Sequence, residues 1–261
     1  MVGHGRAMLR VTLLGAGAVE LDGQPVPELA APRPLSLIAH LVLHRSAAQP
    51  RAAVAFTLWP DSTEQQACTN LRHLLHDLRR ATPDLDAILD VRRRTLQWRP
   101  DERAVVDVIE FEEAASLGSS GDPRLQAESL ERAVAQYGGD LLPGSWDDWV
   151  LEHRRRLRSR FVASLERLVD LAEHRGAHQT AATTLRRLLA LDPLDETAYR
   201  RLMRSYAAAG QRARALRVFE ECASMLRREL GAEPDPETVR LHRSLAMARS
   251  PSRFTSLRVG I

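Results

Sequence analysis

The run 64–81 contains neither glycine nor proline and keeps helical period throughout, and it restricts the fold more than any other stretch. At 100° per residue, Ala67, Leu71, Leu74, Leu75 and Leu78 fall on one side. Gln65, Gln66, Thr69, Arg72, His73, His76 and Arg80 fall on the other, with Asn70 and Arg79 on its flanks. The first side requires a core to pack on. The second is made entirely of hydrogen-bonding groups and is predicted to face outward. Asp61, Ser62 or Thr63 can supply the side-chain oxygen that caps the helix start.

The flanking segments supply that core. Residues 9–14 and 18–21 are rich in branched side chains and separated by Gly15-Ala16-Gly17, which reads as two hairpin strands. A third short strand closes at Val26, followed by a proline-bearing loop through Pro32 and Pro34. A helix is predicted from Pro34 to His44 on the spacing of Leu35, Leu37, Ile38, Leu41 and Val42. A shorter one runs from Arg51 to Leu58 and is stopped by Trp59-Pro60. Beyond the long helix, residues 88–91 and 95–98 alternate like two strands around Arg92-Arg93-Arg94. Strands, three helices and a hairpin with a basic tip, in that order, describe a winged helix-turn-helix.

After Pro100-Asp101 the texture changes, and nearly everything from Asp107 to about Ala248 has helical period. An offset of 34 residues pairs Leu168 with Leu202, Gly176 with Gly210, Ala181 with Ala215 and Leu185 with Phe219. That is the tetratricopeptide period, in which small residues are expected where paired helices cross closely. Trp146 and Trp149 are expected to be buried in this half. The predicted fold is mainly α with a small N-terminal β component. A winged-helix domain spans 1–103, a tetratricopeptide-like helical domain 104–248 and a tail 249–261.

The outward side of the long helix suits base recognition. Arg72 and Arg80 offer bidentate forks to guanine, Gln66 and Asn70 match adenine, Thr69 can touch a thymine methyl, and His73 and His76 add polar contacts, with Arg79 at the edge. Arg92, Arg93 and Arg94 can reach a minor groove or flanking phosphates. Arg33 lies just ahead of the first predicted helix and Arg51 at the start of the second, where helix N-termini and side chains commonly meet phosphates. All 37 basic side chains are arginine, and the net charge is only +3. Such arginine richness fits phosphate recognition and equally fits coding bias.

Other chemistries find little support. His40/His44 and His73/His76 lie at ligand-like spacings, but neither pair has a third ligand nearby, so no metal is expected. No catalytic signature surrounds Asp147-Asp148 or Asp84, Asp86 and Asp90, so neither an enzyme nor a cofactor is expected. Cys68 and Cys222 form no disulfide-like or zinc-like pattern, which fits a reducing, cytoplasmic setting, and no apolar run is long enough to enter a membrane.

Several segments resemble the Streptomyces antibiotic regulatory protein family: LRVTLLG and VELDGQPV at the start, LWPDST with TNLRHLLHDLRR, then WRPD and VDVIEFE. GGDLLPG, DDWVLEHRRRLR, the stretch from Leu188 to Cys222 and ELGAEPDPET resemble that family's bacterial transcriptional activator domain. The resemblance implies an OmpR/PhoB-type winged helix and a sequence-specific transcriptional activator. Its partners would be double-stranded promoter DNA, bound at direct repeats as a homodimer, and RNA polymerase holoenzyme, recruited through its sigma and alpha subunits. It marks Thr69, Asn70, Arg72, His73, His76, Arg80 and Arg92 to Arg94 as DNA contacts, and Trp59 and Pro60 as the turn facing polymerase. The hairpin tip lacks the glycine expected in many relatives. An interaction scaffold, or the N-terminal part of a larger ATP-binding regulator, is the alternative reading.

Overall fold

The structure, a computed structural model, describes residues 8–82, 85–99, 104–118 and 123–247. The predicted tail and Pro100-Asp101 lie outside them. In chain order the elements are β1 (Leu9–Thr12), β2 (Ala18–Leu21), β3 (Gln24–Pro25), α1 (Pro27–Ala30), α2 (Pro32–Leu43), β4 (Gln49–Pro50), α3 (Arg51–Leu58) and α4 (Glu64–Ala81). There follow α5 (Leu85–Ile88), β5 (Leu89–Val91), β6 (Thr95–Trp98), β7 (Ala104–Val106), α6 (Asp107–Leu117), α7 (Pro123–Gln136), α8 (Asp148–His174), α9 (His178–Leu191), α10 (Glu196–Ala208), α11 (Arg212–Leu230) and α12 (Pro236–Met247). The chain divides into two compact units, Met1–Ser164 and Leu165–Ile261.

In the first unit a four-stranded sheet of order β3-β2-β1-β7 precedes and follows the three-helix core, and the wing is a three-stranded sheet of order β4-β6-β5. Leu9 and Val11 are buried and Arg10 is exposed, the period-two pattern of a sheet with one covered face. The predicted first strand is shorter than expected, ending at Thr12, and Leu14 forms an isolated bridge to Leu141. The proline-bearing loop contains the short α1, α2 starts at Pro32 rather than Pro34, and Ile88 closes α5 instead of opening a strand. Residues 104–106 are a strand that no local signal announced. It pairs in parallel with β1, Leu9 opposite Ala104 and Val11 opposite Val106. Leu37 and Leu41 of α2, Leu58 of α3, Leu71 and Leu75 of α4 and Leu96 of the wing are all almost wholly buried, and α2 touches α3, α4 and β6.

A buried carboxylate ties the sheet to α6. Asp107 accepts the Leu13 N–H on both oxygens, each at 2.9 Å, the Leu14 N–H at 2.8 Å and the Val108 N–H at 2.7 Å. Burial pushes its pKa up, and the backbone donors pull against that shift. Nearby, Gly15 and Gly139 both adopt positive φ, and an added Cβ on Gly138 would come within 2.9 Å of the Leu14 carbonyl. The GGDLLPG segment therefore lies directly against the end of β1, with the Leu142 N–H donating to the Leu13 carbonyl at 3.0 Å. Glu112 of α6 receives Arg45 at 2.9 Å and Arg156 of α8 at 2.7 Å.

The second unit consists of successive packed helices: α9 on α10, α10 on α11, and α12 on both α10 and α11. Leu168, Leu202, Ala181, Ala215 and Leu185 are buried, as the 34-residue offset requires of apolar positions, whereas Phe219, paired with Leu185, is only half-buried and stacks on His242 at 4.1 Å. Gly176 and Gly210 are equivalent for a different reason from close helix crossing. Each adopts a left-handed φ, +68° and +73°, after a helix end, and an added Cβ would meet nothing within 4 Å. The ELGAEPDPET segment docks through Thr238, which is wholly buried, accepts from Arg200 at 3.0 Å and donates to Glu196 at 2.7 Å.

Asp107→Asn keeps the side chain's size but sets an amide N–H against backbone donors. It is expected to cost about 3 kcal/mol in urea denaturation, the scale of a lost charge-assisted bond plus an unpaired buried N–H. A loss below about 1 kcal/mol would show that the anchor is dispensable. Burial works to raise the Glu112 carboxyl, but hydrogen bonds from Arg156 and Arg45 hold it below its ordinary 4.5. Its stabilisation is present above that value and is lost as pH falls through the lower folded one. The melting difference between wild type and Glu112→Gln should therefore shrink on acidification below pH 4.5. A difference independent of pH would place the effect in packing rather than charge.

Candidate nucleic-acid interface

The helix α4 starts at Thr63, whose hydroxyl accepts the Gln66 N–H at 3.3 Å, which settles the cap among the three candidates. Ala67, Leu71, Leu75 and Leu78 are buried. Leu74, expected with them, is only half-buried. On the other side Gln65, Gln66, Arg72, His73, His76, Arg79 and Arg80 are exposed, and Thr69 and Asn70 are half-buried. Neighbouring turns order this face. Gln66 donates to Asn70 at 2.8 Å, Thr69 donates to the Gln65 carbonyl at 2.9 Å, and Arg72 donates to the Thr69 hydroxyl at 3.2 Å. Arg79 is committed elsewhere, giving two hydrogen bonds to Asp86 at 3.0 and 3.2 Å.

At the wing, Arg92, Arg93 and Arg94 are all exposed. The tip turns without glycine and without a residue of positive φ, and the Arg92 N–H donates to the Thr95 carbonyl at 2.9 Å. Arg92 is held by Asp90 at 2.9 Å, and Asp90 also receives Arg99 at 3.1 Å. Among the described residues Arg93 and Arg94 have no carboxylate partner, and neither have Arg72 and Arg80.

The structure brings four of these cations together. Arg51, Arg72, Arg93 and Arg94 line one groove of about 540 Å³ between α4 and the wing, with Cys68 on its wall. Arg51 fastens the two sides. Its backbone N–H donates to the Arg94 carbonyl at 2.9 Å, and its guanidinium donates to the Arg92 carbonyl at 3.3 Å. Burial, then the charges of Arg79 and Arg72, lower its pKa from the ordinary arginine value, which marks how closely the cations are gathered. A groove of this kind, walled by unpaired guanidiniums beside an ordered polar helix face, can hold a phosphate backbone while the helix meets base edges.

Other expected residues lie apart from this groove. Arg33 stacks over Trp59, 5.9 Å from the ring centroid, and lies 3.7 Å from Asp147. Trp59 is half-buried and Pro60 exposed. Phe56, which sequence reasoning passed over, is 58% exposed on α3. Its signal was its position two residues from both Val54 and Leu58, off the buried stripe. Trp146 was expected in the core and is instead 79% exposed, because α8 begins only at Asp148 and the three-residue spacing to Trp149 is not helical. His153 joins the His40/His44 pair, with ring centroids 4.4 Å apart for His40/His44 and 5.2 Å for His44/His153. Among the described residues no group of three or more side chains is arranged to hold a metal ion, and no helix is long and apolar enough to cross a membrane.

Known proteins match this architecture. Regulatory protein AfsR of Streptomyces coelicolor is 25% identical over 244 residues, covering 92% of this chain but only 24% of that protein, so the chain spans about a quarter of its length. Transcriptional regulatory protein MoaR1 of Mycobacterium tuberculosis is 27% identical over 286 residues, covering 99% of this chain and 89% of that protein. The structure of Mycobacterium tuberculosis EmbR in complex with a low affinity phosphopeptide superposes with a TM-score of 0.66 at 21% identity, over 92% of this chain and 65% of that one, a likeness of fold. The model of the bacterial transcriptional activator domain matches residues 106–246, more than half of the sequence, and the chain belongs to that family.

Proposed function

We propose that this protein is a sequence-specific DNA-binding transcriptional activator. Its α4 enters the major groove of promoter direct repeats, the wing and Arg51 hold phosphates, and the helical part provides homodimer contacts and a surface for RNA polymerase. The observation that carries the reading is the groove of Arg51, Arg72, Arg93 and Arg94 beside the exposed face of α4. The transcriptional regulators among the matched proteins support it. In this reading Thr69, Asn70, Arg72, His73, His76 and Arg80 meet base edges or nearby phosphates. Arg79, already bonded to Asp86, positions the end of the helix. Trp59, Pro60 and the neighbouring Phe56 form the polymerase-facing turn. Arg33 belongs to a different part of the surface and is left out of the DNA contacts.

Affinity would come from counterion release at the arginines, and selectivity from a few contacts along α4. Footprinting on the DNA upstream of the protein's own coding region is expected to show protected direct repeats. Changing Arg92, Arg93 and Arg94 together to Ala should reduce the slope of log K against log salt by about 3, roughly 0.9 for each lost phosphate contact. An unchanged slope would remove the wing from the interface. Arg72→Ala should narrow discrimination between operator and random DNA by about tenfold, as the loss of one bidentate base contact does. An equal loss on both DNAs would make Arg72 a phosphate contact, and absence of any preference for the upstream fragment would overturn the proposal.

A further inference from the structure

The cleft bounded by the Gly15–Gly17 turn, the first turn of α2 and the segment from Leu142 to Asp147 has a volume of about 400 Å³ and plays no part in the proposed DNA interface. It lies within the first unit, and three residues of its wall, Trp146, Arg33 and Ser36, point to a ligand. Trp146 stands 79% exposed at its rim, beside the apolar surface of Leu35, Leu142 and Pro143. Arg33 is 3.7 Å from Asp147, an ion pair beyond hydrogen-bonding reach, and among the described residues it makes no hydrogen bond, so its donors are unspent. Ser36, 5% exposed, lines the cleft beside Leu35.

A guanidinium with hydrogen-bond donors to offer, a hydroxyl and an exposed indole thus line one open cleft, a combination suited to a ligand with an anionic group and an aromatic face. Gly17 has φ +70°, and a Cβ there would press to 2.9 Å from the Leu35 side chain, so glycine lets the β1–β2 turn lie against the start of α2. We propose that this cleft binds a small planar molecule carrying one negative charge. Its ring lies on Trp146 and the apolar wall, and its anionic group takes hydrogen bonds from Arg33 and Ser36. Asp147 sets the charge limit: a carboxylate that already faces Arg33 tolerates a monoanion far better than a phosphate dianion. The volume is in the range of ordinary small-molecule sites. Because the turn between β1 and β2, the end of α1, the first turn of α2 and the segment leading into α8 all border the cleft, an occupant would brace the unit that carries α4.

The test titrates the full chain with 8-anilinonaphthalene-1-sulfonate, an aromatic monoanion, and in parallel with the neutral N-phenyl-1-naphthylamine, following probe fluorescence and tryptophan quenching. The sulfonate is expected to saturate a single site. Arg33→Met should weaken it about tenfold, the loss of one charge-assisted contact, while the neutral probe changes by less than about twofold. Trp146→Ala, at an exposed position whose loss leaves the core intact, should weaken both probes. Thermal melting confirms that each variant is folded. Absence of saturable binding overturns the site, and so does binding of both probes that neither variant alters, since they would then sit elsewhere, on Phe56 or Met247. Equal weakening of both probes by Arg33→Met overturns the assignment of an anionic ligand.

Discussion

The carboxylate of Asp107 is the interaction on which the first unit depends. Leu13 is wholly buried, and its N–H and that of Leu14 leave the β-ladder just where the chain passes into the core. Water cannot reach these donors, so only a side chain can satisfy them. Asp107 does so from the first turn of α6, where its charge is also favoured by the helix dipole. The same residue follows β7, so the strand that completes the sheet and the carboxylate that closes its end are consecutive in the chain. Cutting the protein where composition changes, near residue 103, would strip the sheet of both. The compact unit accordingly runs on to Ser164 and takes in α6, α7 and the start of α8.

Arginine performs two opposite tasks. Arg45 and Arg156 converge on Glu112, Arg201 on Asp170 and Glu173, and Arg186 on Glu221. These pairs neutralise charge and join helices. A net charge of only +3 across 37 arginines shows how completely acids offset them in the chain as a whole. Against that balance the groove between α4 and the wing stands out because Arg51, Arg72, Arg93 and Arg94, none with an acidic partner among the described residues, line it together. Electrostatic attraction of a phosphate backbone depends on where uncompensated charge sits, not on how much arginine the sequence holds. The bland explanation of arginine richness by coding bias therefore accounts for the number of guanidiniums and leaves their placement unexplained.

Much of this was legible from periodicity. The 3.6-residue stripe of Leu71, Leu75 and Leu78 located α4, and the alternation of residues 95–98 located the wing, because each element buries one face and local spacing records it. Signals that depend on distant partners were not legible. β7 is three residues long and finds its partner in β1 more than ninety residues earlier, and a parallel pairing leaves no turn motif in the sequence. Gly176 and Gly210 were matched by their offset, yet their reason is the left-handed turn each makes. Small size at a helix crossing and freedom of φ select the same residue. Arg51, Arg72, Arg93 and Arg94 each looked suited to phosphate. Nothing in the linear spacing said that three segments of chain would place them around one groove.

The wing explains how that groove keeps its shape. A hairpin on a flexible glycine tip would let its arginines sample many positions, and each would lose entropy on meeting a phosphate. Here the tip is made of three arginines at ordinary backbone angles, and its carbonyls are put to use. The Arg94 carbonyl accepts the Arg51 N–H, the Arg92 carbonyl accepts the Arg51 guanidinium, and Pro50 pairs with Thr95. The start of α3 and the tip of the wing are thus one hydrogen-bonded piece, and α3 packs on α4. The backbone that carries these cations is held at a fixed separation from the face of the long helix. In the proposed DNA-binding role, such preorganisation would turn a collection of surface charges into a surface able to choose one register on a duplex.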